Sequence, residues 1–279
     1  MGVFMLKNTF CHIKGVSEKG EQQLWEAGFE SWESVLGGHL PFGGALADAV
    51  RQGAEVSLKH FERQNPLYFY HALPTNQLWR MFPVFRDRVG YLDIETTGLG
   101  NSDSITTMVV YDGREIHSYV QGDNLRDFCY DARRFELLVT YNGKTFDLPF
   151  IRRYLRTPMQ QAHIDLRYVL ASLGYKGGLK SCERQLGMDR GGLKDVDGYT
   201  AVLLWADYTK RGNARALETL LAYNTEDVIN LEVLMILAYN LLVGQTPFKH
   251  LQINLPTSPA IPFQADDETL DAVRGYRSW

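Results

Sequence analysis

The stretch Val89-Gly90-Tyr91-Leu92-Asp93-Ile94-Glu95-Thr96-Thr97-Gly98-Leu99 decides how the chain is read. It is a β-branched and aromatic run that stops at two threonines and a glycine, the pattern of a buried strand ended by a turn. Asp93 and Glu95 interrupt the apolar run two positions apart, so on a strand both carboxylates point to one face. Two carboxylates side by side repel each other unless a positive charge lies between them. Hard oxygen ligands at that density suit a divalent cation such as Mg²⁺ or Mn²⁺. Taken alone, the pair also fits a solvated strand end, and the rest of the chain has to choose.

Downstream, Ile105 to Tyr111, a turn at Asp112-Gly113 and Glu115 to Val120 complete a meander of three antiparallel strands. A helix is expected over Asn124 to Phe135. It leads to a short buried strand, Leu137 to Tyr141, running parallel to the first. One more short strand falls at His163-Ile164-Asp165, and from there the chain reads as helical to about Val243. The expected fold class is α/β: a mixed five-stranded sheet, three antiparallel strands and then parallel ones, flanked by helices. That ground plan resembles the ribonuclease H-like fold.

Two later stretches carry acids in unusual places. In Val139-Thr140-Tyr141-Asn142-Gly143-Lys144-Thr145-Phe146-Asp147-Leu148-Pro149-Phe150, Asn142-Gly143 turns the chain at the strand end. Pro149 suits the first turn of a helix with Phe150, Ile151 and Tyr154 on its inner side. Asp147 falls at the cap or first turn of that helix, where an ordinary N-cap aspartate would also sit. In Leu220-Leu221-Ala222-Tyr223-Asn224-Thr225-Glu226-Asp227-Val228-Ile229-Asn230-Leu231, Tyr223 and Asp227 lie one helical turn apart. They share roughly the face of Leu220, Leu231 and Leu234. An acid facing a core is costly unless it is paired or bound to metal. A Tyr–Asp hydrogen bond on a half-buried helix is the other reading.

An Asp-x-Glu strand, an Asn-x-x-x-Phe-Asp stretch and a Tyr-x-x-x-Asp helix, in this order, resemble the DEDD (DnaQ-like) exonuclease superfamily, in the subgroup with tyrosine in the third motif. The resemblance covers about residues 88–240. It implies a metal-dependent 3′-5′ exonuclease of single-stranded DNA or RNA, working with two divalent metal ions, Mg²⁺ or Mn²⁺. It also implies that Asp93 bridges both ions. Glu95 and Asp227 then hold the ion on the side of the attacking water, and Asp147 supports the second. A phenol with a pKa near 10 is a poor base at neutral pH, so the implied role of Tyr223 is to orient the water. Asn142 and the backbone at Thr96 would position the terminal nucleotide. Two rival readings keep the fold: a non-cleaving nucleic-acid-binding or scaffolding protein, and a structure-specific endonuclease.

Composition sets few further limits. Of 279 residues, 45% are hydrophobic and 22% charged, an ordinary globular balance. Cys11, Cys129 and Cys182 lie far apart with no Cys-x-x-Cys, which argues against structural zinc and a disulfide framework and for a reducing cytosol. Met1 to Ile13 has no signal-peptide pattern. Leu231 to Val243, interrupted by Glu232 and Asn240, is too short to span a bilayer. A cytoplasmic protein without a membrane partner is the expectation. The net charge of −4 gives no positive support for a polyanionic substrate. It does not oppose one either if four acids are spent on cations.

Three regions are expected: a helical N-terminal region over 1–87, the sheet-bearing domain over 88–244, and a Pro-rich C-terminal tail over 245–279. In the first, Ser17 reads as an N-cap, with Gly20, Gln23, Leu24 and Ala27 at helical spacing, Gly28 as the stop and a second helix over Ser31 to Leu36. The Gly15-Val16-Ser17 turn resembles a helix-hairpin-helix element, which offers backbone N–H groups to a phosphate. A plain packing module is the alternative. This segment, with Trp79-Arg80, also resembles that of an uncharacterised bacterial group of predicted exonucleases. Ala45 to Phe61 is amphipathic. The aromatic runs Leu67 to Pro74 and Leu78 to Phe85 suit a core better than a base-stacking platform. His12, His39, His60 and His71 show no ligand spacing. Pro247, Pro256, Pro259 and Pro262, then Asp266-Asp267-Glu268, suggest a tail laid over the body or a partly disordered arm.

Overall fold

The strand β1 (Val89–Thr96) lies at the centre of a five-stranded sheet, in a computed structural model that describes residues 4–100, 102–188 and 196–275. The others are β2 (Ile105–Tyr111), β3 (Ile116–Val120), β4 (Leu137–Thr140) and β5 (Ala162–Asp165), in the order β3-β2-β1-β4-β5. β1, β2 and β3 pair antiparallel, while β4 is parallel to both β1 and β5. This is the ground plan expected above.

Alternation along the strands divides the core. Val89, Tyr91, Val109, Tyr111, Leu137 and Val139 bury themselves on one face, and Leu92, Ile94, Met108, Val110 and Leu138 on the other. Asp93 and Glu95 continue the first face, opposite Val109 and Thr107 of β2. That face therefore decides what the two acids meet.

Helices fill both sides. α1 (Glu18–Glu26), α2 (Trp32–Gly37), α3 (Gly44–Glu62), α4 (Pro66–Ala72) and α5 (Phe82–Phe85) precede the sheet. α6 (Phe128–Asp131) and α7 (Asp147–Leu155) cover the second face. α8 (Leu166–Ser172), α9 (Leu179–Gln185), α10 (Gly198–Arg211) and the 30-residue α11 (Ala214–Val243) build on the first, and α12 (Asp267–Gly275) packs on α10 and α11. The N-terminal helices share one continuous core with the first face. No described helix is long and apolar enough to cross a membrane.

Four local expectations need correction. The helix expected over Asn124 to Phe135 is broken into a 3₁₀ turn (Leu125–Asp127), α6 and a second 3₁₀ turn (Ala132–Arg134). Asn124 ties its start to β3, accepting from the Val120 N–H at 2.8 Å and donating to the Ser118 carbonyl at 2.9 Å. Leu125, Phe128 and Ala132 stay buried at a spacing that either helix type serves. In α1 the inner face is Glu21, Leu24 and Trp25, and Gln23 and Ala27 are exposed. The cause is an ion pair: buried Glu21 meets the Arg80 guanidinium at 2.8 Å and accepts from the Cys11 N–H at 3.0 Å.

In the N-terminal turn, Ser17 does cap α1, at 3.1 Å from the Gly20 N–H. Yet Glu18 stands in the first turn, where its negative charge opposes a phosphate. Before Ile13, the helical structure among the described residues is a 3₁₀ turn, Met5–Asn8. The aromatic runs are core: Phe69, Trp79 and Phe82 are buried.

The C-terminal segment lies on the body and ends in a helix that its composition hid. Asn240 holds it by a bond to the Ile253 carbonyl at 2.8 Å. Asp266 caps α12, accepting from the Thr269 N–H at 2.9 Å, so the acidic run is a helix start with Leu270 and Val273 buried behind it.

Candidate metal centre

Across the first face of the sheet runs α11, and it presents Asn224 and Asp227 to the acids of β1, with Tyr223 buried one turn before Asp227. Carboxylate oxygens of Asp93, Glu95 and Asp227 lie within 4.8 Å of one another. Asp227 is only 5% exposed, and Tyr223 beside it is equally enclosed. The alternation of β1 and one turn of α11 are what bring these groups together.

Asp147 arrives from the other side. It is the first residue of α7, and its Oδ1 accepts from the Ile94 N–H, between the two β1 acids, at 3.2 Å. The loop that delivers it is tightly made. Asn142 adopts a left-handed φ of 66°, and the Gly143 N–H donates to Thr140 Oγ1 at 3.0 Å. A Cβ on Gly143 would stand 2.2 Å from that oxygen, so glycine is required. Beneath the loop, the buried Asp165 carboxylate at the end of β5 accepts from the N–H groups of Asn142 (2.8 Å), Lys144 (3.0 Å) and Arg167 (3.0 Å). The sequence marked Asp165 only as a strand residue.

The two residues expected to position a nucleotide lie close to these acids in the chain and are partly engaged. The Thr96 hydroxyl donates to the Gly98 carbonyl at 2.7 Å, which leaves backbone rather than hydroxyl contacts to that position. Asn142 Oδ1 accepts from the Arg167 guanidinium and from Thr145 Oγ1.

Two side chains outside the sequence reading join the acids. Asn224, fully buried, donates from Nδ2 to Asp93 Oδ2 at 2.7 Å and accepts from Thr107 Oγ1 at 3.2 Å. Lys180 of α9 holds its ammonium 4.6 Å from the centroid of the Tyr223 ring.

The electrostatics is that of acids crowded out of water. Glu95 is half-buried as a residue, but its carboxyl lies deep. Burial raises its pKa well above the usual carboxylate range, with Asp227 and Asp147 adding to the shift and Lys180 opposing it. Burial likewise pushes Asp147 up to about 7; the Ile94 N–H opposes this, and Asp165 and Asp227 add to it. Such a cluster is unfavourable as bare carboxylates, and its all-oxygen donor set fits Mg²⁺ or Mn²⁺.

A pH dependence follows. Folded Asp147 keeps its proton above the ordinary carboxylate pKa, so the fold loses stability as pH rises from about 4 through about 7. The buried His12 and His163, both depressed to about 3 by burial, contribute the opposite trend. Comparison with Asp147→Asn in EDTA separates the two effects. The variant should gain stability over wild type, and the gain should grow toward a few kcal/mol between about pH 5 and about pH 8. Chemical denaturation at each pH measures it, and a gain that is flat or shrinks with pH would contradict the shift.

A second group of potential ligands, Asp112, Glu115 and His117, has a plain explanation. Asp112 Oδ1 accepts from the N–H groups of Arg114 (2.9 Å) and Glu115 (2.7 Å), building the turn between β2 and β3.

A family model described as the RNase H superfamily matches residues 90–239, the span that holds every residue of this centre. No curated protein and no solved structure matches the chain.

Proposed function

Because the chain belongs to the RNase H superfamily, we propose that it is a metal-dependent 3′-5′ exonuclease acting on single-stranded DNA or RNA. The observation that carries this reading is the meeting of Asp93, Glu95 and Asp227, with Asp147 bonded to the backbone between the first two. The direction and the single-strand preference follow from the resemblance of the three acid motifs to the DEDD exonucleases.

Asp93, Glu95, Asp147 and Asp227 would hold two divalent ions, Mg²⁺ or Mn²⁺. Such ions supply acidification of water and neutralisation of charge on the phosphate. The protein's own part is to fix the donors. Asn224 sets the rotation of the Asp93 carboxylate, and the Ile94 N–H sets that of Asp147. Tyr223, one turn before Asp227 on the same rigid helix, orients the attacking water. In the overall reaction the water oxygen bonds to phosphorus and the bond to the 3′-oxygen breaks. A nucleoside 5′-monophosphate leaves, and the shortened strand keeps a 3′-hydroxyl.

Asn224→Leu should weaken Mn²⁺ binding about tenfold and lower turnover about tenfold or more, because Asp93 loses its orienting partner. Calorimetric titration with Mn²⁺ checks the first effect; unchanged affinity would remove the orienting role. The function itself is tested on 5′-labelled single strands with Mn²⁺. A ladder shortened one nucleotide at a time from the 3′ end is expected. Internal cuts would favour an endonuclease, and no product a non-cleaving binder. Cleavage that persists in EDTA would contradict the metal assignment.

A further inference from the structure

The short helix α9 is held far more firmly than its seven residues would suggest. At its start, the Tyr141 hydroxyl donates to the Gly177 carbonyl and lies 3.4 Å from Cys182 Sγ. Gly177 has a φ of 113°, and a Cβ there would meet the Ser181 side chain at 2.8 Å, so this turn also requires glycine. Farther along, the buried Glu183 carboxylate accepts from Asn230 Nδ2 of α11 at 3.0 Å. Gln185 closes the other side with a bond to the Lys176 carbonyl at 3.0 Å.

These ties have a direction. Tyr141 immediately precedes Asn142 in the loop that delivers Asp147. Asn230 lies one turn beyond Asp227 on α11. α9 is therefore fastened to two of the three elements that bring acids to the centre, the loop before α7 and α11, and Lys180 is the cation it carries there. The Lys180 ammonium group is withdrawn from solvent, lies 4.6 Å from the Tyr223 ring centroid, and acts on the Glu95 carboxyl.

We propose that Lys180 is a catalytic residue of this centre, its ammonium group contacting the phosphate that is cut. The proposal rests on the nuclease reading above. Charge balance gives it its sense. Four carboxylates and two divalent ions cancel, which would leave a phosphodiester with no net attraction to the site. Lys180 makes the loaded centre +1, equal and opposite to the single charge of the phosphodiester. A fixed, dehydrated ammonium group then stabilises the charge that grows on the phosphate oxygens as the bond to the 3′-oxygen breaks. If Lys180 served only as a counter-ion to the empty acids, its loss would help metal binding and leave cleavage intact.

The test uses the full chain with Lys180→Met and Lys180→Arg and three readouts: Mn²⁺ titration, anisotropy of a fluorescein-labelled single-stranded oligothymidylate in Ca²⁺, and turnover in Mn²⁺. For Lys180→Met the expected results are oligothymidylate binding weakened about tenfold and turnover lowered about a hundredfold. Mn²⁺ should bind as tightly as in wild type, or several-fold more tightly, since a like charge has gone. Lys180→Arg should recover part of both losses. Lys180→Met that cleaves within about twofold of wild type would overturn the contact and leave the nuclease reading standing. Weakened Mn²⁺ binding together with a lowered melting temperature would mark a structural role and overturn it too. A wild type that releases no product refutes the nuclease reading instead. Unchanged oligothymidylate binding by Lys180→Met would then overturn the phosphate contact as well.

Discussion

Asp93→Asn is expected to lower strand cleavage by about a thousandfold while the chain folds as before. The substitution keeps size and shape, and an asparagine oxygen at that position still accepts from Asn224 Nδ2. What disappears is one of the carboxylates that meet at the end of β1. Metal-free, the variant should melt at or above the wild-type temperature, because like-charge crowding is relieved at Glu95 and Asp227. With Mn²⁺, wild type should gain melting temperature and the variant far less. Steady-state cleavage and paired melts, with and without Mn²⁺, read all of this. A variant within about tenfold of wild-type turnover would remove Asp93 from the centre.

Tyr223→Phe is expected to lower turnover by about a hundredfold, with Mn²⁺ affinity within about twofold of wild type. The ring remains, so packing along α11 and its contact with Lys180 at 4.6 Å survive. Only the hydroxyl is lost, and with it the water-orienting contact proposed for Tyr223. A fall confined to turnover separates this role from metal holding. If turnover is unchanged, Tyr223 is a packing residue that shares a helix face with Asp227.

Much of this was legible in the sequence because strand and helix periods constrain faces so strongly. Strand alternation put Asp93 and Glu95 on one face, and in the sheet they continue the face of Val89 and Tyr91. Tyr223 and Asp227 were recognisable as enclosed because apolar neighbours at helical spacing surround them. The supporting residues were not legible, for a common reason. Asp165 matters through two N–H groups in a loop belonging to another strand, and no local pattern encodes that. Asn224 was hidden between Tyr223 and Asp227, since a buried amide shows no preference until its partners Thr107 and Asp93 are in place.

Lys180 sits on a helix stabilised by long-range bonds rather than by propensity, so the sequence offered only Gly177-Gly178 as a sign that the backbone turns there. The misread face of α1 has a similar origin. The helical spacing of Gly20, Gln23, Leu24 and Ala27 gave no sign that Glu21 turns inward, because its partner Arg80 lies far along the chain. α12 was hidden by its acidic start. That composition suggests a loose arm when read alone and a well-capped helix once Leu270 and Val273 find the grooves of α10 and α11.

Anomalous diffraction from crystals soaked in Mn²⁺ tests most directly whether these distant acids act as one cation-binding pocket. Two peaks are predicted at the end of β1, shared among Asp93, Glu95, Asp147 and Asp227. No peak there, or density only at the Asp112–Glu115–His117 turn, would contradict the account.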